Sequence, residues 1–486
     1  MSQPMILVLD LGTSRLKAVL FTPDGHEYTS AAVSYPTHTP QQEYAEQSPD
    51  DWWSAACRAT QALWEKGADP KRVAMISVTG QMHGIVPVDG QNTPLTPCLT
   101  LRDRRASHEA ADIRHQIGVE RIFQLTGARL DSTAPPAKLL WFYRQETLWS
   151  KIQVFLAPKD WLRQQLTGGH PVTDIIEAAG MGLYDVIHAG WSPEMAHASL
   201  TPIERLPSIQ AATDVAGSLT PGAAAQLGLL PGIPIAVGAA DDVEFIGAGL
   251  LRSGDCMEHL GSTGSLVMVV DHPIEDPSGT LELYPHLIPG CWIAGGSTSN
   301  GGSALEWFRA ALKHESPLKL ETTTHPPPVF IPYLAGERAP VWEPDARAVF
   351  WGLGLEHDQA HLVRAVFEGV AFSLRHLLEA LEEVCGQVQD IIRVGASNDL
   401  NWLKLRADVY DRPLCPLIAS DPTALGAALV GACALGVYPD LVTAVQTAVT
   451  LDGDVHPSPS SDLNARYQMY RTLSTWTRDL LGERKA

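Results

Sequence analysis

The sequence predicts an α/β protein built as two domains of similar size, with a boundary near residue 249 and a cleft between the halves. Three observations predict this. At 486 residues the chain exceeds what one hydrophobic core usually organises. Strand-like apolar runs and longer helical stretches are interleaved along it. The pattern that opens the first half, a strand, a polar Gly turn and a strand at 6–21, returns at 255–270.

Taken in order, "MILVLDLG" and "RLKAVLFT" read as strands, "PDGHE" as a turn on Asp24-Gly25, and "YTSAAVSYP" as a third strand. The first forty or so residues are therefore a β-meander. "SPDDWWSAACRATQALWEKG" reads as a helix with Ser48 at the N-cap position and Pro49 at the first helical position. The strand "VAMISVTG" follows, then a loop and a long helical region through residue 150. "PGIPIAVGAA" is a buried strand, and the helix after it opens on Asp241 and Asp242. In the second half, "DCMEHLGSTGSLVMVV" repeats the strand, turn and strand. "VGASNDLNWLKLRADVYDRPL" (394–414) reads as a strand, a small-residue loop and a helix. "TALGAALVGACALGVY" (423–438) suits a tightly packed buried helix. No short-period repeat, low-complexity tract or long linker interrupts this order.

Composition narrows the function classes. The chain is 45% hydrophobic and 19% charged, as ordinary globular proteins are. A net charge of -20, from 35 Lys+Arg against 55 Asp+Glu, argues against a nucleic-acid or anionic-membrane surface. The start, "MSQPMILVLDLG", has no basic region and carries Asp10 inside its apolar run, so no secretory signal is expected. No stretch reaches the roughly 18 charge-free apolar residues of a spanning helix. The 7 cysteines are scattered without a C-x-x-C pair and read as reduced thiols of a cytoplasmic protein. The near-motif "HEAADIRH" (108–115) has Asp112 where a zinc helix would need its second His.

Three stretches carry candidate chemistry. In "DLGTSRLK", Gly12 would let the backbone approach a phosphate, Thr13 and Ser14 would donate hydrogen bonds, and Lys17 would lie near the charge. Asp10 would suit a hydrated Mg²⁺. The same letters also fit a plain hairpin with a polar turn. The second copy, "GSTGS" (261–265), favours the phosphate reading, since two such turns would make a clamp for a nucleotide's terminal phosphates. No G-x-x-x-x-G-K-[ST] is present, so a Walker-type site is not expected. In "TGQMHG" (79–84), Gln81, Met82 and His83 stand at a strand's C-terminal edge, a common ligand position, although a lone His in a loop also serves structure. The pair Asp241 and Asp242 fits helix capping, a general base for an attacking hydroxyl, or a metal site.

Collinear motifs now join these pieces. They include Asp10 to Lys17, "EQSPDDWW" (46–53), "SVTGQMHG" (77–84), "APKDWLRQQLTG" (157–168) with "TD" at 173–174, and "GAADDVEFIGAG". Further along come 261–265, "STSNGGSALEWF" (297–308), "PYLAGERAP" (332–340), "RAVFEGVAFSLR" (364–375), "WLKLRADV" (402–409) and "DPTALGAALVGA" (421–432). Over nearly the whole chain this series resembles the FGGY carbohydrate kinases of the actin-like ATPase superfamily, the xylulokinases above all.

The resemblance implies two ribonuclease-H-like domains, an N-terminal one over 1–248 and a C-terminal one over 249–486, closing over sugar and Mg-ATP. It implies transfer of the ATP γ-phosphate to a ketopentose, D-xylulose giving the 5-phosphate. Ribulose, L-xylulose, gluconate and polyols are alternative substrates, and a non-catalytic sugar sensor is the rival of another class. In the family the catalytic aspartate has a glycine seven positions on, which selects Asp242 (with Gly249) as base and leaves Asp241 as a cap or a substrate contact. Met82, His83, Gln81 and Asp103 carry over as sugar contacts. Gly12, Thr13, Ser14, Lys17, Gly261, Ser262, Thr263, Gly264 and Gly302 carry over as nucleotide contacts, and so do Gly395, Ala396 and Asn398. Two places depart from the pattern. Leu101-Arg102 replaces Trp-Asn before Asp103, and "VGAS" (394–397) replaces a run of glycines. The partners implied are sugar and Mg-ATP, without nucleic acid or membrane, and a homodimer is allowed.

Overall fold

Met5–Leu11 has no exposed side chain over its seven residues, as a strand covered on both faces requires. It pairs antiparallel with Arg15–Phe21, which pairs antiparallel with Glu27–Ser34. On its other side it runs parallel to Val73–Gly80, and Pro234–Ala236 continues the sheet parallel to that strand. Val215–Ser218 adds an antiparallel edge. The structure, a computed structural model, describes residues 3–276, 279–313, 316–389, 391–395, 399–458 and 460–485.

The second half repeats this order. Cys256–Leu260 pairs antiparallel with Gly264–Val270, which pairs antiparallel with Trp292–Thr298. Ile392–Val394 lies parallel to Cys256–Leu260, and Leu414–Pro416 lies parallel to Ile392–Val394. In chain order each sheet therefore contains a three-strand meander whose first strand carries two further parallel strands. This is the ribonuclease-H-like arrangement that the family resemblance implied, and its repetition matches the recurring strand–turn–strand signal.

The chain forms two compact units. One comprises Met1–Leu251, Leu283–Cys291 and Asp421–Val449; the other comprises Arg252–Glu282, Trp292–Ser420 and Thr450–Ala486. The meander strands fall where the apolar runs place them. Gly25 makes the second turn at φ 87°, a conformation open to glycine, with its N–H bonded to Thr22 O at 2.9 Å. Helix Pro49–Glu65 buries Trp52, Ala55, Ala56, Ala59 and Leu63, one face at 3.6-residue spacing, and Trp52 meets Trp161 edge-on at 5.9 Å. Ser48 occupies its N-cap position without a capping side-chain bond; Asp50 and Asp51 in the first turn meet the helix dipole instead. The helical region through residue 150 is divided into Ser107–Ile117, Val119–Thr126, Pro135–Tyr143 and Glu146–Trp149. Gly118 at φ 91° and Gly127 at φ 71° end helices there, and prolines open the next one at 135.

Helix Pro422–Ala434 is buried along most of its length inside the first unit. Its glycines allow backbone contact with the segment after the aspartate pair. A Cβ at Gly426 would stand 2.1 Å from Val243 O, and one at Gly247 would stand 1.8 Å from Pro422 O. Such approach is possible only without side chains. All 7 cysteines are free, and no helix among the described residues is long and apolar enough to cross a membrane. Gly426→Ala is expected to destabilise the protein by about 2 kcal/mol or more through overpacking against backbone, read as a lowered urea midpoint.

Candidate active site

The first turn is built around Gly12. Its N–H bonds Arg15 O at 3.1 Å, and a Cβ there would meet that oxygen at 3.2 Å. Tyr35 donates its hydroxyl proton to Gly12 O, and Gln47 Nε2 donates to Thr13 O at 2.7 Å. Thr13 and Ser14 stand exposed at the tip, with their side chains toward solvent. The turn is therefore held from below and free above, which suits an anion-binding loop.

Asp10 and Lys17 face each other in register across the hairpin. Lys17 Nζ lies 2.8 Å from Asp10 Oδ2 and 2.5 Å from Asp421 Oδ2. Asp421 also caps helix Pro422–Ala434 through Ala424 N at 3.0 Å. Burial pushes the Asp10 carboxyl up despite Lys17, and Asp421 adds to the rise. A cation at Asp10 would relieve that cost, so this buried hard-oxygen group fits a hydrated Mg²⁺. Lys17, expected near phosphate, is shared between two carboxylates. In sequence Asp421 carries only the signal of a cap before a Pro-led helix, and it does serve as that cap.

The aspartate pair forms a 3₁₀ turn, Asp241–Val243, before the short helix Glu244–Gly247. The N-cap positions of these two turns are held by Ala240 and Val243, and both aspartates lie in the first turn after Ala240. The Asp241 carboxyl is pushed well above the usual carboxylate range, first by burial, then by the charges of Asp242, Asp10 and Glu244. Burial and Asp421 push Glu244 up to about 7. The strand leading into this turn is pinned by Arg163, which donates to Val237 O at 3.2 Å and to Asp160 at 2.8 Å. Lys159 joins that network, 2.6 Å from Asp160 and 2.9 Å from Asp174, all fully buried. The segment "APKDWLRQQLTG" thus supplies the cations that support the junction.

Gln81 Nε2 donates to Gln47 Oε1 at 2.8 Å, and Gln47 in turn holds Thr13 O, so the Gln81 loop and the first turn share one polar link. Gln47 was hidden in sequence behind the helix it precedes. Met82 is buried with its methyl against Gly180, where a Cβ would come within 2.5 Å. His83 adopts φ 62°, and its Nδ1 lies 2.9 Å from Gly180 O. A carbonyl only accepts, so Nδ1 carries the proton and Nε2 keeps a lone pair. Burial first, then Lys138, push the imidazole down to about 4, so it is neutral at physiological pH. Lys138 is fully buried and donates to His83 O at 3.0 Å and Thr100 O at 2.8 Å. Burial lowers Lys138 to about 8.

Asp103 is fully buried and accepts from Ala45 N at 2.8 Å and from Arg105 Nε at 2.8 Å and Nη2 at 2.6 Å. It fixes Arg105, whose guanidinium also bonds Glu46 and lies 3.7 Å over the Tyr44 ring. Leu101 and Arg102, the departures from the family pattern, are exposed.

The second turn has the same character. Gly261 N bonds Thr263 O at 2.9 Å, and Gly261, Ser262 and Thr263 are exposed while Gly264 is buried. Gly301 N and Ser303 N bond Ser262 O at 3.0 and 3.1 Å, and Gly302 N bonds Gly261 O at 2.8 Å. A Cβ on Gly301 would stand 2.5 Å from Thr263 C, so glycine is required there. Gly302 opens helix Gly302–Ala311. The space beside Gly395 is open; Ala396 and Asn398 lie outside the described residues.

The FGGY carbohydrate kinase N-terminal domain matches residues 5–246, and the C-terminal domain of the same family matches 260–435. The chain belongs to the FGGY family of carbohydrate kinases. It is an ATP-dependent sugar kinase. It is 30% identical to the xylulose kinase of Lactococcus lactis over 476 residues, 95% of this chain and 94% of that protein. It is 29% identical to the gluconokinase of Bacillus subtilis over 458 residues, 89% and 87% of the two chains. The crystal structure of a xylulose-type kinase from Brucella ovis superposes with a TM-score of 0.90 at 28% identity, covering 98% of this chain and all 100% of that one. That of gluconate kinase from Lactobacillus acidophilus gives 0.88 at 26%, covering 99% and 98%.

In this FGGY kinase the unfolded chain protonates His83 near 6.5 and the folded chain only near 4. Stability contributed by the neutral ring is complete above pH 6.5 and is lost as pH falls toward 4. His83→Gln is expected to flatten the slope of urea midpoint against pH in that window, measured beside the parent protein.

Proposed function

We propose that this kinase transfers the γ-phosphate of ATP to a terminal hydroxyl of a ketopentose, D-xylulose giving D-xylulose 5-phosphate. A new O–P bond forms from the sugar oxygen, the bond from the γ-phosphorus to the β–γ bridging oxygen breaks, ADP leaves, and the hydroxyl proton passes to a junction aspartate. The observation that carries this reading is the carboxylate pair at 241–242, within electrostatic reach of Asp10 beside a phosphate-sized turn. The neutral His83 and the buried Met82, matching the family's pentulose segment, support a neutral polyhydroxy acceptor. The xylulose kinases among its relatives support the sugar.

Asp242 is the proposed base and Asp241 a substrate contact. Thr13, Ser14 and the turn at 261–264 bind the nucleotide's phosphates through backbone N–H groups and hydroxyls. Asp10 would hold Mg²⁺ through water, and the ion would neutralise charge on the transferring phosphoryl group. A second reading exchanges the two aspartates. It is favoured by the shared 3₁₀ turn that carries both carboxyls and by the raised proton affinity of Asp241, which burial and the Asp242 charge produce.

Under the first reading, Asp242→Asn lowers kcat by about 10³-fold while leaving sugar and ATP affinity within a few-fold. Asp241→Asn then mainly raises the sugar KM. Near-normal turnover in Asp242→Asn with loss in Asp241→Asn selects the second reading. Acceptors are compared by ADP release with D-xylulose, L-xylulose, D-ribulose and D-gluconate. D-xylulose is expected to give the highest kcat/KM, and a higher value for gluconate would overturn the substrate.

A further inference from the structure

The second turn rests on a loop, 299–303, and that loop is held by a residue with no role in the chemistry. Glu337 is almost fully buried. Its Oε1 accepts from Ser299 N at 2.5 Å and Arg338 N at 2.9 Å, and its Oε2 accepts from Ser373 Oγ at 3.2 Å. Beside it, Asn300 Nδ2 donates to Gly336 O at 2.8 Å, so two successive residues of the loop are tied to the segment 335–338. From Ser299 the chain passes directly to Gly301, Gly302 and Ser303, whose N–H groups grip Gly261 and Ser262 from beneath.

We propose that Glu337 is a positioning residue for the nucleotide's phosphates: its carboxylate fixes the 299–303 loop, and the loop fixes the turn at 261–264. This rests on the reading that the turn binds ATP. A carboxylate grips backbone N–H groups about twice as strongly as a neutral acceptor does, so the hold depends on ionisation. Burial pushes Glu337 up to about 7, against the bonds from Ser299, Arg338 and Ser373, which lower it. Arg338 is the cation that faces it, with its guanidinium turned to Thr298 O; the Tyr333 and Tyr470 hydroxyls also face it and are held neutral by burial. The turn should therefore tighten as pH rises through 7 and loosen below it.

The test compares steady-state kinetics of the full chain with those of Glu337→Gln, which keeps the shape and an acceptor oxygen but not the charge. At pH 8 the KM for ATP is expected to rise about tenfold, with the sugar KM changed less than twofold. The parent's extra rise in ATP KM between pH 8 and pH 6, beyond that caused by ATP's own ionisation, should vanish in the variant. An unchanged ATP KM, an equal rise in both KM values, or an unaltered pH profile overturns the proposal. Should Glu337→Gln fail to fold, Ser373→Ala removes the Oε2 bond alone, with an expected two- to fourfold rise in ATP KM; no change there overturns it equally. Thr263→Ala separates the two claims, because an unchanged ATP KM in that variant removes the turn itself from the nucleotide site.

Discussion

Carboxyl groups crowd one region of the first unit, and the rest of the site is arranged around that fact. Asp10 and Asp421 share Lys17, Glu244 feels Asp421, and Asp241 feels Asp10, Asp242 and Glu244. Glu177, fully buried, feels Asp241 and is itself held well above the usual range by burial. Like charges this close favour protons or cations, because ionising all of them in a poorly solvated place is costly. The proposed phosphoryl transfer would use both consequences. In that proposal one carboxylate takes up a proton and another attracts a divalent ion.

The scaffold keeps these groups in place with cations that stand outside the chemistry. Lys159 and Arg163 neutralise Asp160 and Asp174 and pin the strand that delivers Asp241. Arg105, bonded by Asp103 and Glu46, lies against Tyr44 and Trp141. Buried ion pairs contribute little net stability, yet breaking one leaves an uncompensated charge, so they specify geometry more than they add stability. The glycines at 247 and 426 serve the same end by letting helix Pro422–Ala434 reach the backbone behind the aspartate pair. That helix brings Asp421 to Lys17.

Much of this was legible in sequence. Strand runs such as Met5–Leu11 and Val73–Gly80 announce themselves by continuous apolar character, and the repeated strand, turn and strand at 256–270 announces the duplicated sheet. Local signals also placed Gly12, Thr13 and Gly261 in turns, where Thr13 and Gly261 are exposed and Gly12 is half-buried. Partnerships across long separations were not legible, because periodicity and capping rules are local. Lys17 with Asp421, Gln81 with Gln47, and Lys138 under His83 come from distant stretches that only tertiary packing brings together. Asp103 shows the opposite limit. It matches a sugar-contact position in the family's pattern, yet its carboxylate here is occupied by Arg105 and Ala45 N.

Carboxylate crowding at Asp241 makes the native state bear a cost in stability. An unfolded Asp releases its proton near 3.8, whereas folded Asp241 holds its proton to well above that. Stability therefore falls as pH rises through the interval between the two values. The direct measurement is urea denaturation of the parent protein and of Asp241→Asn across pH 4 to 8. The account predicts that the variant is more stable than the parent at pH 8 and that the gain shrinks toward pH 4. Equal or lower stability of the variant at pH 8 would contradict it.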